Sequence, residues 1–152
     1  MQLRLFEPEA PPLKNFRWIV VNSSGGKDSQ TALRQVVQIC DQQQVSRERI
    51  HVSHQDLGEA EWPGTMDLVK RQAACYGLPV TVTRYRTQKG EELTLLDNVQ
   101  KRGKWPSSQQ RYCTSDFKRG PGSRVITQLG AGSVLNVYGF RAEESPARAK
   151  KH

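Results

Sequence analysis

The chain has 152 residues, 36% of them hydrophobic and 25% charged, which is the composition of one folded domain rather than of a disordered chain. No apolar run approaches the roughly 18 residues that a membrane helix needs, and residues 1–15 lack the apolar core of a signal sequence, so we expect a cytoplasmic protein that does not bind a membrane. Residues 1–79 are neutral overall, whereas residues 80–152 hold the whole net charge of +8, and such a one-sided basic surface favours polyanions as partners.

The first half of the chain alternates buried strands with amphipathic helices. Residues 1–15 are rich in proline and predict an irregular lead-in, and residues 16–21 form an apolar run typical of a strand buried on both faces. Residues 29–43 predict a helix because their apolar residues recur at helical spacing, with Asp28 or Ser29 as its cap. The pattern then predicts a strand over residues 50–54, a loop over 56–64, a helix over 66–76 and a strand over 80–83.

The second half is more polar, but it continues the alternation. In chain order it predicts a helix over residues 91–101, an aperiodic basic stretch over 104–122, a helix over 123–129, a buried strand over 134–138 and a polar tail over 143–152. This alternation predicts an α/β fold with a single doubly wound parallel sheet and right-handed crossovers. Ligands of such sheets bind beyond the carboxyl ends of the strands, so the candidate loops are residues 22–29, 55–64 and 139–148.

The strongest chemical signal is the sequence SGGKDS at residues 24–29, between the first strand and the first helix. Its glycines allow a sharp turn close to a ligand, and the free N–H groups at the helix start attract an anion. The Walker A pattern differs, because its lysine is followed by Ser or Thr. We therefore predict a phosphate cradle in which Asp28 caps the helix or helps to hold Mg²⁺. Its candidate residues are Ser23, Ser24, Gly25, Gly26, Lys27, Asp28 and Ser29.

This hexapeptide resembles the PP-loop of the ATP pyrophosphatase superfamily, and three later segments resemble its phosphoadenosine phosphosulfate (PAPS) reductase branch. They are Asp56-Leu57-Gly58 with Trp62-Pro63-Gly64-Thr65, Arg111-Tyr112-Cys113-Thr114 with Lys118 and Pro121, and Gly139-Phe140-Arg141 with Glu144, Ser145 and Arg148. The four matches occur in family order and span most of the chain. We therefore expect a PP-loop domain over residues 16–148, after the lead-in of residues 1–15 and before a basic tail over 149–152.

The resemblance implies a Rossmann-like fold of the adenine nucleotide alpha hydrolase type that binds ATP with Mg²⁺, or PAPS, across the edge of the sheet. The phosphates would lie on residues 23–29, and the backbone of residues 52–56 would contact the base and ribose. Further nucleotide-binding candidates are Asp56, Gly58, Lys118, Gly139, Arg141 and Arg148. The catalytic candidates are Lys27, Asp28, Cys113 and Lys118, with Asp28 also the candidate metal ligand.

The three cysteines separate the branches of this family. Cys40 and Cys75 fall on or near apolar helix faces, which predicts small core residues. Cys113 stands among basic residues, so a reactive or sulfur-relay role is the alternative to a structural one. PAPS reductases share a C-terminal segment with a redox cysteine, whereas no cysteine follows Cys113 in this chain. Three dispersed cysteines also cannot hold a four-iron cluster, so no iron–sulfur cluster is expected from this chain alone.

Three functions remain open from the sequence. The first is an enzyme that transfers AMP from ATP to an acceptor oxygen with release of pyrophosphate, so that sulfur can then displace the activated oxygen. The basic second half makes DNA or RNA a candidate acceptor, as in DNA phosphorothioation, and a sulfur-donor protein such as a cysteine desulfurase a candidate partner. The second is a PAPS or adenylylsulfate reductase whose thiol comes from a missing tail or a partner. The third is a non-catalytic nucleotide-binding module.

Overall fold

A four-stranded parallel sheet forms the centre of the molecule, and the computed structural model describes residues 10–141, Pro146 and Lys150. Its strands are β1 (Trp18–Asn22), β2 (Ile50–Gln55), β3 (Val80–Thr83) and β6 (Val134–Tyr138). They lie in the order β3-β2-β1-β6, because the chain moves outward from β1 to β3 and then returns to the other side of β1. This return across the first strand confirms the doubly wound α/β fold that the sequence predicts.

Two helices cover one face of the sheet and enclose the main core. α1 (Lys27–Gln42) packs on β1 and β6, and α2 (Thr65–Ala74) packs on β2 and β3. The core between them consists of alternate strand residues and the apolar helix faces, including Ile19, Val21, Leu33, Val37, Cys40, Ile50, Val52, Val69 and Ala73. Each fully buried aliphatic side chain contributes about 1.5–3 kcal/mol, so this core makes a large hydrophobic contribution to stability.

The opposite face is polar near the carboxyl ends of the strands. Asn22 donates from Nδ2 to Asn136 Oδ1 at 2.6 Å, and Gln55 donates from Nε2 to Asn22 Oδ1 at 3.3 Å. α5 (Gly120–Leu129) packs across this face, and Gly122 lies against these side chains: a Cβ there would be 3.6 Å from Gln55 Nε2. A buried polar network therefore lies directly beneath the sheet edge that carries the candidate loops.

One predicted element is wrong in its first part. The sequence predicts a helix over residues 91–101, but Glu92–Leu93 (β5) pairs antiparallel with Tyr85–Arg86 (β4), and α3 spans Leu95–Arg102. The reason is a capping box: Thr94 Oγ1 accepts from the Asp97 N–H at 3.2 Å, and Asp97 Oδ2 accepts from the Thr94 N–H at 2.9 Å. These reciprocal bonds start the helix at Leu95.

The predicted helix over residues 123–129 begins earlier than expected. A short helix, α4 (Tyr112–Thr114), leads into a π-helical stretch, Ser115–Arg119, and then into α5. This whole segment is polar in sequence, yet Tyr112 of α4 and Phe117 of the π-helical stretch are buried against Leu95 in a second, smaller core cluster. Two aromatic anchors, rather than a periodic apolar face, therefore determine its conformation.

The remaining predicted strands and helices agree with the structure to within a few residues. The polar tail over residues 143–152 falls almost entirely outside the described residues. Within residues 10–141, no helix combines the length and the apolar character that crossing a bilayer requires.

Candidate functional site

The candidate phosphate-binding loop follows β1 at the carboxyl edge of the sheet. Gly25 has a φ of +77°, a left-handed conformation that side chains disfavour, and it lets the chain reverse directly into α1. The N-cap of α1 is Gly26, which has no side chain to cap the helix. The expectation that Asp28 or Ser29 is the cap is therefore wrong, because both residues lie inside the first turn. Because α1 begins at Lys27, its first N–H groups lack acceptors within the helix and lie beside the exposed Lys27 side chain.

The three serines of this loop have different roles. Ser29 is buried; its hydroxyl donates to the Gly26 carbonyl at 2.9 Å and accepts from the Ser24 N–H at 3.3 Å. Ser23 is also buried, and its hydroxyl accepts from the Gly25 N–H at 3.3 Å. The Ser24 side chain is exposed at the turn. Ser23 and Ser29 thus brace the loop internally, and the Ser24 hydroxyl lies at the exposed turn, 3.5 Å from the Ser29 hydroxyl.

Two buried side chains hold the loop from behind. His54, on β2, is 1% exposed; its Nδ1 lies 2.9 Å from the Ser23 carbonyl oxygen and its Nε2 lies 3.2 Å from Glu61 Oε2. Gln72, on α2, donates from Nε2 to the Gly25 carbonyl at 3.1 Å. Burial alone lowers the pKa of His54, but the hydrogen bonds to Glu61 and Ser23 and the negative charges of Glu61 and Asp56 outweigh it, so that pKa lies above its ordinary value.

The end of β6 approaches the start of α1 very closely. A Cβ placed on Gly139 would lie 2.5 Å from the carbonyl carbon and oxygen of Asp28, so only glycine fits there. Beyond this contact Arg141 Nε lies 3.0 Å from Asp28 Oδ2. Three predicted site residues, Asp28, Gly139 and Arg141, therefore lie together at the loop, with Gly139 as the close-packing element.

Asp56 and Gly58 form a separate unit after β2. Asp56 is buried; its Oδ1 accepts from the Gly58 N–H at 2.8 Å, and its Oδ2 accepts from Arg84 Nε at 2.7 Å. Burial raises the pKa of Asp56, but the Gly58 N–H and the Arg84 guanidinium lower it by a larger amount. The net pKa is therefore below the ordinary value, and the carboxyl stays ionised to a lower pH than usual. A cavity of about 420 Å³ adjoins this pair and is lined by Asp56, Thr83, Arg84, Arg86, Glu92 and Arg124, among others.

The other predicted site residues lie in the helical segment before β6. Lys118 is exposed in the π-helical stretch, and Cys113 is partly buried against the cluster of Leu95, Tyr112 and Phe117. Cys40 is fully buried, as predicted, whereas Cys75 is exposed at the end of α2, so the prediction of a core residue is wrong there. Arg148 lies outside the described residues.

The candidate Mg²⁺ ligand, Asp28, is half-buried and paired with Arg141. In the described part of the chain, no group of three or more His, Cys, Asp or Glu side chains is arranged to hold a metal ion. A single carboxylate is nevertheless compatible with Mg²⁺, which proteins commonly hold through one or two carboxylates together with substrate phosphates and water. The donor set therefore fits a nucleotide-borne ion rather than a protein-encaged one.

Sequence reasoning missed the residues that lie behind the loop. His54 is 31 residues from Ser23, and Gln72 is 47 residues from Gly25, so no local spacing links either pair. Arg84 likewise reaches Asp56 from the end of the next strand. The available signal was a polar side chain inside an otherwise apolar strand or helix face, which His54 and Gln72 both present.

These features are those of an α/β protein of the PP-loop type. The family model described as the phosphoadenosine phosphosulfate reductase domain matches residues 18–152. The chain therefore belongs to the phosphoadenosine phosphosulfate reductase family, as its motifs indicate. Comparison with curated proteins and comparison with solved structures each give no significant match.

Proposed function

We propose that this protein binds an adenine nucleotide through residues 23–29 and acts on ATP as an adenylating enzyme of the ATP pyrophosphatase type in sulfur transfer. The observation that supports this most is the loop itself, where the open start of α1 and the exposed Lys27 meet at the carboxyl edge of the sheet. A helix start, a left-handed glycine and a mobile cation are together suited to a chain of phosphates.

In this reaction an acceptor oxygen attacks the α-phosphorus of ATP. The bond from that phosphorus to the bridging oxygen of the β-phosphate breaks, and pyrophosphate leaves with the electron pair. The protein's contribution is position and charge, because little covalent chemistry is required of it. Lys27 and the amides of the loop would stabilise the departing phosphates, and Arg141, beside Asp28, would approach the α-phosphate. Mg²⁺ bound with ATP would neutralise phosphate charge, with Asp28 as its one carboxylate ligand.

The acceptor in this proposal is a nucleic acid. The outer sulfur of a persulfide on a donor protein such as a cysteine desulfurase then attacks the activated centre, and AMP leaves with the oxygen. A second thiol cleaves the remaining S–S bond, which releases the sulfur-bearing product and leaves a disulfide on the donor side. The support is the charge distribution, with the excess of Lys and Arg confined to residues 80–152. Lys118 would contact phosphate from the π-helical stretch, where its side chain is exposed. DNA modification of the phosphorothioation type is the reaction that unites these features.

The test is pyrophosphate release from ATP with Mg²⁺, with and without single-stranded DNA or RNA. Lys27→Ala should weaken ATP binding by about tenfold or more, the effect expected when a phosphate loses a direct cation. The matched control is Lys14→Ala, an exposed lysine that precedes β1 at the opposite edge of the sheet. Absence of pyrophosphate with every acceptor, beside intact ATP binding, would reject adenylation and leave a non-catalytic nucleotide-binding module.

A second candidate is reduction of PAPS or adenylylsulfate, which the description of the matching family favours. Cys113 is partly buried against aromatic side chains, so the attacking thiol in this case would come from a partner or from a segment outside the described residues. Competition calorimetry separates the two candidates. A reductase should bind PAPS more tightly than ATP, whereas an adenylating enzyme should show the reverse order.

A further inference from the structure

Two carbonyl groups of the phosphate-binding loop are held by side chains from other elements. The Ser23 carbonyl oxygen faces His54 Nδ1 at 2.9 Å, and the Gly25 carbonyl accepts from Gln72 Nε2 at 3.1 Å. Both anchors are buried beneath the loop, with His54 1% and Gln72 9% exposed. The loop is therefore fixed at two alternate peptide units from the side that faces the core.

Fixing a carbonyl also fixes the amide that follows it. In a planar trans peptide the N–H points away from the C=O of the same unit. The Ser24 N–H must then point away from His54, and the Gly26 N–H must point away from Gln72. Both amides are thereby turned away from the buried anchors, and the Ser24 N–H points toward Ser29 in the first turn of α1. The Ser24 N–H makes a long bond of 3.3 Å to the Ser29 hydroxyl, which a phosphate oxygen can replace.

The second ring nitrogen of His54 makes this anchor sensitive to charge. Nε2 lies 3.2 Å from Glu61 Oε2, and both neighbours of the ring, a carbonyl and a carboxylate, are hydrogen-bond acceptors. The ring satisfies both only as the imidazolium. Among the described residues, Asp56 also acts on the ring, but the charge of Asp56 is shared with Arg84, so Glu61 is the principal counter-ion of His54.

We propose that His54 and Gln72 are positioning residues that aim the amides of Ser24 and Gly26 at the bound phosphates, with Glu61 keeping His54 in its doubly donating form. This inference rests on the proposed function only in taking phosphate as the ligand of the loop. It adds that contacts on the core side of the loop preorganise it, and that the affinity of the loop for phosphate depends on the protonation of a buried histidine.

The pH dependence has a definite sign. Because the pKa of His54 in the folded protein lies above its ordinary value of 6.5, the anchor is complete at low pH and is lost as the pH rises through that folded pKa. Nucleotide affinity should therefore fall on going from about pH 6 to about pH 9. Glu61→Gln removes the counter-ion, so it should move this fall to lower pH.

The binding experiment uses a non-hydrolysable ATP analogue with the full chain and isothermal calorimetry across this pH range. His54→Leu and Gln72→Leu each remove the donor to one loop carbonyl, and each should weaken nucleotide binding by about tenfold or more. His54→Asn should bind the analogue nearly as tightly as the wild type, because the asparagine amide nitrogen can occupy the place of Nδ1. Its affinity should no longer decrease as the pH rises, apart from the change caused by titration of the nucleotide itself. The matched control is His51→Asn, on the same strand but directed to the opposite face, which should behave like the wild type.

A second measurement does not depend on the nucleotide. Nitrogen NMR of the His54 ring should show both nitrogens still protonated at a pH above the ordinary pKa of histidine. The amide resonances of Ser24 and Gly26 should shift in His54→Leu and Gln72→Leu but not in His51→Asn. If the wild type fails to bind any adenine nucleotide while these resonances behave as stated, the proposed function fails and the positioning role stands. If His54→Leu binds the analogue as the wild type does, or if the Ser24 and Gly26 amides do not respond, the inference is overturned.

Discussion

Gly139 lies where the end of β6 meets the first turn of α1, and the contact leaves no space for a side chain. The Cβ of any other residue would lie 2.5 Å from the Asp28 backbone and 2.7 Å from the Ser29 nitrogen, and both belong to the first turn of α1. Backbone atoms in a helix cannot relieve such a clash by rotating, whereas the end of a flexible side chain can. A side chain here must therefore push β6 away from α1, and with it the loop that carries Arg141.

We expect Gly139→Ala to lower the free energy of unfolding by about 1–3 kcal/mol, the usual cost of overpacking, and also to weaken nucleotide binding. Urea denaturation gives the first quantity and calorimetry the second. Gly132→Ala is the matched control, because a Cβ there meets nothing within 4 Å. Equal stability of the two variants would contradict the close contact between Gly139 and α1.

At the scale of elements, the loop after β2 is held by a charged pair. Asp56 is buried, and both of its oxygens are bonded, one to the Gly58 N–H and one to Arg84. Gly58 in turn lies against Thr94, the N-cap of α3, where a Cβ would be 2.5 Å from Thr94 Cγ2. The pair thus fastens the end of β2 to β3, and the loop packs on the start of α3.

This pair predicts acid-dependent stability. Because the folded pKa of Asp56 is lowered from 3.8, its contribution is present above that value and is lost as the pH falls through the folded pKa. Arg84→Gln should therefore destabilise the protein most near neutral pH, with a difference from the wild type that shrinks below about pH 4. Urea unfolding at a series of pH values measures this difference. A difference independent of pH would mean that Arg84 acts by packing alone.

The elements differ in how far the sequence determines them. β1 and β6 are predictable because each is a mainly apolar run bounded by turn residues, and β2 because Ile50 and Val52 alternate with polar residues. α1 is predictable because its apolar residues follow helical spacing. The pairing of β4 with β5 was missed, since two-residue strands carry no period. The SGGKDS segment joins β1 to α1, as the sequence predicts. Its contacts with His54 and Gln72 could not be predicted, because these residues reach it only through the tertiary fold.

At the scale of the whole molecule, part of the basic excess lies exposed on one segment of the chain. Within the described residues, Lys104, Arg111, Lys118 and Arg119 are exposed in or next to the segment that joins α3 to α5. Trp105 stands among them and is 64% exposed. The Tyr112 hydroxyl donates to the Lys104 carbonyl at 2.5 Å, which fixes this segment against the second core cluster. Basic side chains around an exposed aromatic ring are suited to a single strand, whose phosphates pair with the cations while a base stacks on the ring.

We therefore expect single-stranded DNA or RNA of about 20 nucleotides to bind with an affinity that falls steeply as salt rises from about 50 to 200 mM. The double variant Lys104→Ala with Arg111→Ala should weaken binding and reduce the logarithmic salt slope by about two, close to one for each phosphate contact removed. Fluorescence anisotropy at several salt concentrations gives both quantities. Lys14→Ala with Arg34→Ala removes the same charge from the neutral half and should change neither. Equal losses in the two double variants would show that net charge, rather than this surface, attracts the nucleic acid.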